Sequence, residues 1–468
     1  MNILVSGDDE VALAIAESLM ARHQVVLIHP RGWSAPRLDR LDIDRIAGSA
    51  SSPEVLGRAN IDRCEAFVAC TSNDEVNIVS CLAARHLGAR RTICMLTRPG
   101  FFNAEENDEE LARYLGVDVV VRPWEQLARE ILRIVTIPGA LDVEFLADQR
   151  VALLRYSIEE DAPITRDPIK HTPLPPDVTL VMVRRETIFI PNGNTRLRPH
   201  DKLTAMGTPH GIRELLFKHL RAPTHRTDRR SATIVGGGVV GFIIASGLEK
   251  AGWSIKIIEM SRARCEELAP RLPRSLVLHG DGSDMDLLEE EQIGEAPVLI
   301  AVTNNDEKNL LVSMLARSLG VKRIITRADR LTNERLFDQI GVDVVRSAHG
   351  AAIRTVVRDV LDPRHEIRAE LEHGDIHVLE LELPDDYQPV QLKDLHTNLF
   401  SIVGAVVRGR EVIIARGDTM LQAGDHLFVF CTQADEEKSR ELYLDPPASA
   451  TTDPRGDMDA VDAADEAI

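Results

Sequence analysis

A glycine-rich motif lies in the middle of the chain, within the stretch ATIVGGGVVGFIIASGLEKAG. Gly236, Gly238 and Gly241 have the spacing GxGxxG, between an apolar run of strand type and a run of helical periodicity. In this context the first glycine permits a tight turn, the second lets a pyrophosphate approach the backbone, and the third lets helix and strand pack closely. The motif predicts a dinucleotide or adenine-nucleotide site, and the alternative is a purely structural glycine turn.

Two carboxylates follow the motif at informative places. Glu259 ends the apolar run SIKIIE, 23 residues after Gly236, which is close to the spacing at which an acid meets ribose hydroxyls. That acid disfavours a 2′-phosphate, and therefore NADPH. Asp281, in HGDGSD after the run LVLH, is expected at the carboxyl end of a strand, where ligands bind in parallel sheets. A turn-forming role for Asp281 and Ser283 is the alternative.

The stretch TNNDEKN follows the apolar run APVLIAVT and is expected at the same edge of the sheet. Its residues Asn304, Asn305 and Asp306 either cap the next helix or line the cleft. Both interpretations remain open at the level of the sequence.

No catalytic constellation is recognisable in the sequence. HExxH and CxxC motifs are missing, and we expect His373 and His377 to be solvated in a charged loop. We therefore predict no catalytic residue, no metal site and no enzymatic activity.

The N-terminal stretch ILVSGDDEVA has the same apolar run and turn, with carboxylates in place of glycines. Asp9 stands where Gly238 stands in the motif, and Ala12 stands where Gly241 stands. A phosphate oxygen about 4 Å from a carboxylate is repelled by roughly 4 kcal/mol at an effective dielectric of about 20. A helix dipole offers an anion only about 0.3 to 1 kcal/mol. We therefore expect the carboxylates of residues 8–10 to cap the following helix and to exclude a phosphate.

These two stretches belong to a longer internal repeat. TSNDEVN (71–77) recurs as TNNDEKN (303–309), and VRRETIFIPNGNTRLRPHDKL (183–203) recurs as VRGREVIIARGDTMLQAGDHL (407–427). The first kind of unit alternates apolar runs with helix-length stretches, which predicts an α/β lobe with a Rossmann-like parallel sheet. The second kind has period-2 runs and turn signals, which predicts a small antiparallel α+β lobe. The predicted fold is two Rossmann-like lobes, each followed by a small C-terminal lobe.

The repeat also predicts the domain boundaries. The segments are, in chain order, a first Rossmann-like lobe at 1–138, its small lobe at 139–222, a second Rossmann-like lobe at 230–360, its small lobe at 365–445, and an Asp-rich disordered tail at 446–468. Linkers are expected at about 137–145, 222–230 and 361–373.

The composition excludes several classes of protein. A net charge of −19 argues against a nucleic-acid partner, because phosphate binding needs a basic surface. The six cysteines form no recognisable framework and are expected to be free thiols. No signal peptide is recognisable. Residues 231–248 carry no charge, but their five glycines favour a strand, turn and helix over a membrane span.

VGGGVVG, Glu259, HGDGSD, TNNDEKN and GVDVV, in a duplicated order, resemble the TrkA family of Trk system potassium uptake proteins, with tandem regulator-of-potassium-conductance (RCK, or KTN) domains. The resemblance implies a regulatory subunit on the cytoplasmic face of the cell membrane. It implies a ring, typically a homotetramer, that docks on a membrane-embedded potassium transporter and gates it by binding NAD(H) or ATP/ADP. The resemblance also implies a cleft arginine, Arg327. The predicted cofactor-binding residues are Gly236, Gly238, Gly241, Glu259, Asp281 and Arg327.

The first Rossmann-like unit departs from the family pattern at the positions of Glu259, Asp281 and Arg327. These positions hold His29, Ser49 and Met95. We therefore expect one competent nucleotide site per chain. The alternative functions are an NAD-dependent oxidoreductase, which the missing catalytic pair disfavours, and a nucleotide-independent scaffold.

Overall fold

The structure is a computed structural model that describes residues 1–20, 23–33, 41–98, 112–137, 139–147, 149–220, 230–329, 331–360, 367–371, 376–395 and 401–445. The chain divides into two compact units, each made of two separate stretches. Unit 1 comprises residues 1–137 and 225–363, and unit 2 comprises residues 138–224 and 364–468. Unit 1 therefore joins the two Rossmann-like lobes, and unit 2 joins the two small lobes.

The first lobe of unit 1 is a parallel sheet with the strand order β3-β2-β1-β4-β5-β6. Its strands are β1 (Asn2–Ser6), β2 (Gln24–His29), β3 (Asp44–Ala47), β4 (Ala66–Ala69), β5 (Thr92–Met95) and β6 (Val119–Val121). Its helices include α1 (Glu10–Met20), α2 (Pro53–Arg58), α3 (Asp74–His86) and α4 (Pro123–Thr136). The strand order proceeds from β1 towards one edge of the sheet and from β4 towards the other. Such folds bind ligands in the crevice between these two strands, where the order changes direction.

The first small lobe, in unit 2, is an antiparallel sheet with the strand order β10-β9-β11-β8-β7. Its elements are β7 (Ala140–Leu146), β8 (Val151–Ser157), β9 (Val178–Arg184), β10 (Ile188–Phe189), β11 (Lys202–Gly207) and α5 (Pro209–Lys218).

The second lobe of unit 1 repeats the first, with the strand order β14-β13-β12-β15-β16-β17. Its strands are β12 (Ser231–Val235), β13 (Ser254–Glu259), β14 (Leu276–His279), β15 (Val298–Ala301), β16 (Arg323–Arg327) and β17 (Val344–Arg346). Its helices include α6 (Val239–Lys250), α7 (Arg262–Arg271), α8 (Met285–Glu290), α9 (Asp306–Ser318), α10 (Leu331–Ile340) and α11 (Ala348–Val360). Each of the apolar runs that predicted a strand in this lobe forms one.

The second small lobe has the strand order β18-β19-β24-β21-β22, with β20 and β23 paired separately. Its elements are β18 (Ile367–Leu371), β19 (Ile376–Glu382), β20 (Val390–Gln391), β21 (Ser401–Arg408), β22 (Glu411–Ile414), β23 (Met420–Leu421), β24 (His426–Thr432) and α12 (Glu436–Leu444). Within unit 2 the two small lobes share one hydrophobic core, in which Leu153 and Met206 of the first meet Phe428 and Phe430 of the second.

The two lobes of unit 1 exchange helices. α4 follows the first sheet in the chain but packs on α6 of the second lobe, and α11 follows the second sheet but packs on α1 of the first lobe. Val356 and Val360 of α11 are buried in the same hydrophobic core as Ile15 of α1. In the other direction, Leu132 of α4 lies against Gly247 of α6. The exchange joins the two lobes into one compact unit.

The predicted fold class is confirmed, and some local predictions are wrong. The linker expected at 137–145 contains most of β7, whose period-2 alternation begins just after the Pro-Gly turn signal. The linker expected at 361–373 contains β18. His377 lies on β19, is buried, and has its Nδ1 2.9 Å from Glu436 Oε2, so it is not a solvated loop residue.

The structure also bears on the predictions for the cysteines and for the uncharged stretch. The six cysteines are free thiols. The uncharged stretch 231–248 forms β12, the glycine turn and most of α6. No helix in the described ranges is both long enough and apolar enough to cross a membrane. His373, the predicted disordered tail at 446–468 and nearly all of the linker expected at 222–230 lie outside the described residues.

Candidate nucleotide site

The glycine loop of the second lobe joins β12 to α6 and has the backbone geometry that the motif predicts. Gly236 has φ +107°, a conformation that favours glycine. A Cβ on Gly241 would lie 1.9 Å from the carbonyl oxygen of Gly236, so only glycine fits there. A Cβ on Gly238 would meet no atom within 4 Å. The space beside Gly238 is therefore open to a ligand.

The N-terminus of α6 faces this open space without a side-chain cap among the described residues. The helix begins directly after Gly238, which is its N-cap residue. The first N–H groups of a helix have no partner within the helix, and together with the helix dipole they attract an anion. This arrangement is the one that holds phosphate groups in dinucleotide-binding folds.

A cleft of about 460 Å³ opens at the loop, a volume within the usual range for small-molecule sites. Its wall in the second lobe includes Gly238, Arg264 and Arg327. The first lobe contributes Thr97 and Trp124 to its lining. Among the described residues that line it there is no carboxylate, and the charged residues are two arginines. The cleft is thus suited to an anionic ligand.

Hydrogen bonds fix both arginines in place. Arg264 Nε donates to the Gly237 carbonyl oxygen at 2.8 Å, which connects this side chain directly to the glycine loop. Arg327 forms a bidentate pair with Asp329 at 2.7 and 2.8 Å, and its Nη1 donates to Asn304 Oδ1 at 3.0 Å. Arg264 Nη1 also donates to Glu267 Oε2 at 2.6 Å. The guanidinium groups are therefore preorganised, although Glu267 and Asp329 offset part of the charge of the two arginines.

Glu259 lies at the end of β13 and contacts the glycine loop. Its Oε2 accepts a hydrogen bond from the Gly237 N–H at 2.7 Å, and its Oε1 accepts one from the Ser261 N–H at 2.7 Å. A carboxylate has about four acceptor positions, so these two bonds leave capacity for ribose hydroxyls. Glu259 does not line the cleft beside Gly238. It holds the loop and stands next to that cleft.

Asp281 forms the turn that was the alternative interpretation of its motif. Its Oδ1 accepts hydrogen bonds from the N–H and the hydroxyl of Ser283, at 2.9 and 2.7 Å. Its Oδ2 accepts a hydrogen bond from Lys308 Nζ at 2.9 Å. The bonds from Ser283, followed by the one from Lys308, lower the pKa of Asp281 to about 2. The side chain is 41% exposed, so this carboxylate is ionised at neutral pH and reachable from solvent.

Both roles predicted for the stretch TNNDEKN, helix capping and lining of the cleft, are found, but in different residues. Asn305 caps α9 by accepting a hydrogen bond from the Lys308 N–H at 2.6 Å. Asn304 lines the cleft. Asp306 is buried and accepts hydrogen bonds from the Asp329 N–H and from Asn333, both at 2.8 Å, so its role is structural.

In the first lobe the turn that follows β1 is closed by its own carboxylates. Asp9 Oδ1 accepts hydrogen bonds from the N–H groups of Val11 and Ala12, both at 3.0 Å, which confirms the predicted cap of α1. Burial raises the pKa of Asp9. Asp8 does not cap the helix, contrary to expectation, because it accepts hydrogen bonds from the N–H and hydroxyl of Ser72 at 2.8 Å each.

A second cleft, of about 480 Å³, lies beside this turn in the first lobe. Its lining includes the acids Asp8 and Glu54 together with Arg31 and Arg58. Among the described residues that line this cleft, two acids accompany two arginines, whereas those that line the cleft of the second lobe include two arginines and no acid.

Sequence reasoning missed four residues of the candidate site. Arg264 and Trp124 each lie near the start of a helix, where a motif search gives them no role, and Thr97 comes from the other lobe. Lys308 could have been found, because the repeat places Val76 at its position and the change from valine to lysine occurs next to the cleft.

The fold, with two parallel-sheet lobes and two small antiparallel lobes, is similar to that of solved RCK domains. The crystal structure of the GsuK RCK domain resembles it with a TM-score of 0.58 at 19% identity, covering 94% of both chains. The structure of the GsuK channel bound to NAD resembles it with a TM-score of 0.59 at 19% identity, over 94% of this chain and 78% of that one. These likenesses concern the fold.

The sequence comparisons assign the family. Residues 3–123 and 232–348 match the TrkA-N domain, and residues 153–217 and 390–443 match the TrkA-C domain. A Trk system potassium uptake protein TrkA homolog from Archaeoglobus fulgidus is 33% identical over 444 residues, which cover 95% of this chain and all of that protein. TrkA from Halomonas elongata is 29% identical over 450 residues, which cover 92% of this chain and 95% of that protein. The chain belongs to the TrkA family of Trk system potassium uptake proteins.

Proposed function

We propose that this chain is the nucleotide-binding regulatory subunit of a Trk-type potassium uptake system. The observation that carries the proposal is the glycine loop, which leaves open space at Gly238 in front of the uncapped N-terminus of α6. Such a helix N-terminus binds phosphate groups. Membership of a family of potassium uptake proteins supplies the process that the ligand would control.

The proposed ligand is NAD(H), with ATP or ADP as the alternative. Both present a pyrophosphate to the loop and ribose hydroxyls to the acid at the end of β13. A structural relative, the GsuK channel, has been solved bound to NAD, which agrees with this choice. The residues proposed to bind the cofactor are Gly236, Gly238, Gly241, Glu259, Asp281 and Arg327.

We infer one nucleotide site per chain. In the first lobe Asp9 occupies the N-terminus of α1, where a phosphate would have to bind. Because repulsion from a carboxylate about 4 Å away, at roughly 4 kcal/mol, exceeds the attraction of about 0.3 to 1 kcal/mol from the helix dipole, this position rejects a phosphate.

The chain acts as a regulator and not as an enzyme. A ligand changes a conformational equilibrium only when it binds two states unequally, so the nucleotide would gate transport by favouring one arrangement of the lobes. The partner would be a membrane-embedded potassium transporter, contacted from the cytoplasmic face of the cell membrane by a homotetramer. The chain would be organised as nucleotide-deficient and nucleotide-binding N-lobes at 1–138 and 230–360, C-lobes at 139–222 and 365–445, and an acidic tail at 446–468.

The test compares nucleotide binding by the purified full chain and by two variants of Gly238. Thermal unfolding with NAD, NADH, ATP and ADP shows which ligands stabilise the protein, and isothermal titration calorimetry gives the affinity and the stoichiometry. We expect about one nucleotide per chain. Gly238→Asp should abolish binding, because a roughly 4 kcal/mol repulsion corresponds to about a thousandfold loss of affinity.

The matched control is Gly238→Asn, which has almost the same volume as aspartate but no charge. It should bind the nucleotide more weakly than the wild type and far better than Gly238→Asp, while both variants unfold at similar temperatures without ligand. Two equal sites per chain would overturn the single-site inference. A lack of stabilisation by all four nucleotides would favour the scaffold, and steady oxidation of NADH by a small carbonyl compound would favour the oxidoreductase.

A further inference from the structure

An ion pair connects the two sides of the crevice at the carboxyl edge of the second Rossmann-like sheet. Lys308 Nζ donates a hydrogen bond to Asp281 Oδ2 at 2.9 Å and lies 3.6 Å from Met260 Sδ. Asp281 follows β14, Met260 follows β13, and Lys308 is the third residue of α9, which follows β15. The lysine side chain therefore extends from the β15 side of this edge to the ends of β13 and β14.

The strand order shows what this side chain crosses. In the order β14-β13-β12-β15, two strands lie between the strands that precede Asp281 and Lys308. Neighbouring strands are about 4.8 Å apart, so β14 and β15 are separated by about 14 Å. A nucleotide in such a sheet binds over the strand that ends in the glycine loop, here β12, and its ribose meets the acid at the end of the next strand, here β13. The ion pair thus spans the half of the crevice where the nucleoside of the ligand would lie.

The first lobe has the equivalent crevice without this ion pair. Its strands have the same order, and the repeat places Ser49 and Val76 at the positions of Asp281 and Lys308. Serine and valine cannot form an ion pair, and both residues line the open cleft of about 480 Å³ in that lobe. In the second lobe neither Asp281 nor Lys308 is among the described residues that line the cleft beside Gly238. These two positions therefore border an open cleft in the first lobe, and in the second lobe their side chains meet across the crevice.

The ion pair is exposed to solvent and can exchange its partners. The side chains of Lys308 and Asp281 are 26% and 41% exposed. Ion pairs between exposed side chains contribute little to stability, and lysine has a flexible four-carbon stem. The backbone of Lys308 is held separately, because its N–H donates to the helix cap Asn305 at 2.6 Å. The lysine side chain can therefore leave Asp281 while α9 stays in place.

The lysine occupies an oxygen of an acid that is proposed to bind the nucleotide. Asp281 Oδ1 already accepts two hydrogen bonds from Ser283. Asp281 Oδ2 accepts the bond from Lys308, so it has the greater remaining capacity for a ligand once the lysine has left. Adenosine offers hydroxyl and amino groups as donors. Lys308 and the nucleoside would therefore compete for the same carboxylate oxygen.

We propose that Lys308 is a latch of the nucleotide site, which holds Asp281 in the free protein and leaves it when the nucleoside half of the ligand binds. This inference rests on the proposed function and adds to it a residue that sets the affinity of the second lobe. Lys308 acts as an internal competitor, so its removal strengthens the binding of a nucleoside. Because an exposed ion pair is weak, the latch lowers the affinity without preventing binding.

The test measures the affinity of the full chain for adenosine, which has the nucleoside but no phosphate for the lysine to attract. Calorimetric competition against ADP gives this affinity for the wild type, Lys308→Val, Asp281→Ser and the double variant. We expect Lys308→Val to bind adenosine about two- to fivefold more tightly, as the loss of a weak competing ion pair predicts. In the Asp281→Ser background the same change should have no effect, because the lysine there has lost its acceptor.

Lys322→Val is the matched control. It removes the same charge from an exposed lysine of the same lobe, which directly precedes β16 and so lies at the amino edge of the sheet, away from the crevice. It should bind adenosine as the wild type does. An affinity unchanged by Lys308→Val, or weakened equally in both backgrounds, would overturn the latch, because Lys308 would then not compete with the ligand for Asp281.

The outcomes separate this inference from the proposed function. Failure of the wild type to bind any of NAD, NADH, ATP and ADP would overturn the proposed function and the latch with it. If Gly238→Asp abolished ADP binding but Lys308→Val left the adenosine affinity unchanged, the latch alone would be overturned.

A structure of the full chain bound to ADP tests the latch without any substitution. We expect Lys308 Nζ to lie farther from Asp281 Oδ2 than the roughly 4 Å that limits an ion pair. ADP bound at the glycine loop with the contact of 2.9 Å retained would overturn the latch.

Discussion

Asp9 and Gly238 occupy equivalent positions, each the last residue before the first helix of its lobe. Asp9 fills the N-terminus of α1 with its own carboxylate, through hydrogen bonds of 3.0 Å to two N–H groups. Gly238 leaves the same place open in front of α6. The difference at this position separates a helix terminus that is closed by its own side chain from one that is open.

Substitution of Asp9 should separate its capping role from its charge. Asp9→Ala removes the acceptor of two N–H groups and should lower the free energy of unfolding by about 1 kcal/mol, the usual cost of losing a cap. Asp9→Asn keeps an acceptor oxygen and should retain most of that stability. Urea denaturation at pH 7 measures both changes, and equal losses in the two variants would contradict the capping role.

The pH dependence of the same variants has a definite sign. Burial raises the pKa of Asp9 in the folded protein, so the folded state holds the proton more tightly than the unfolded state does. The wild type therefore loses stability as the pH rises from the unfolded pKa, about 3.9, through the raised value. Asp9→Asn carries no such loss. Its stability relative to the wild type should rise over this interval, and a difference that is constant between pH 3 and pH 7 would contradict the burial of the charge.

Gly238 and Gly241 should differ in how strongly they resist replacement by alanine. A methyl group on Gly241 would lie 1.9 Å from the Gly236 carbonyl oxygen, a backbone atom that cannot move aside. We expect Gly241→Ala to destabilise the protein by about 1 to 3 kcal/mol, as overpacking usually does. Gly238→Ala meets open space and should cost less than about 1 kcal/mol, from the weaker N-cap alone. Chemical denaturation of both variants checks the order, and the reverse order would refute the loop geometry.

Local sequence patterns predicted the second Rossmann-like lobe well for a physical reason. Strands buried on both faces read as short apolar runs, as ATIV in β12, VLIA in β15 and IIT in β16 do. The helix caps in the repeated stretches TSNDEVN and TNNDEKN are also local interactions. Asn73 and Asn305 each cap the helix that follows directly in the chain.

The helix exchange and the residues that the first lobe adds to the cleft could not be predicted in this way. Nothing in the sequence of α4 states that it packs on the other lobe, because apolar periodicity shows that a face is buried but not what buries it. Trp124 lies on the exchanged helix α4, and Thr97 follows β5 of the first lobe. The strand at 140–146 follows the dipeptide Pro-Gly, which as a sequence signal favours a linker.

The contact between Leu132 and Gly247 should be testable by a double-mutant cycle. A Cβ on Gly247 would lie 2.8 Å from both methyl carbons of Leu132. We expect Gly247→Val to lower the free energy of unfolding by about 1 to 3 kcal/mol, because the larger side chain pushes α4 away from α6. Leu132→Ala in the same chain should recover part of the loss.

The control for this cycle is Gly57→Val, since Gly57 is also a helical glycine but has open space around its Cβ position. Its effect should be unaltered by Leu132→Ala. An interaction energy near zero between the changes at Gly247 and Leu132, measured by urea denaturation, would show that the two helices do not depend on this contact.

Asp281 and Lys308 offer a test of the charge arrangement next to the glycine loop. Hydrogen bonds, first from Ser283 and then from Lys308, lower the pKa of Asp281 to about 2. Lys308→Met should raise the pKa of Asp281. Ser283→Ala, as a separate variant, should raise it by more, because the hydrogen bond from the Ser283 hydroxyl has the larger effect on this pKa. Carbon-detected NMR titration of the Asp281 carboxyl measures both values.

The sign of the matching stability change follows from the direction of this shift. A carboxyl with a lowered folded pKa stabilises the protein above its unfolded pKa of about 3.9, and that contribution disappears as the pH falls through about 2. Lys308→Met should therefore reduce the stability at pH 7 more than at pH 2. The side chain of Asp281 is 41% exposed, so solvent screening keeps the difference small. If the pKa of Asp281 were the same in Lys308→Met and in the wild type, Lys308 would not hold this carboxylate, and the lysine would remain available for a ligand phosphate.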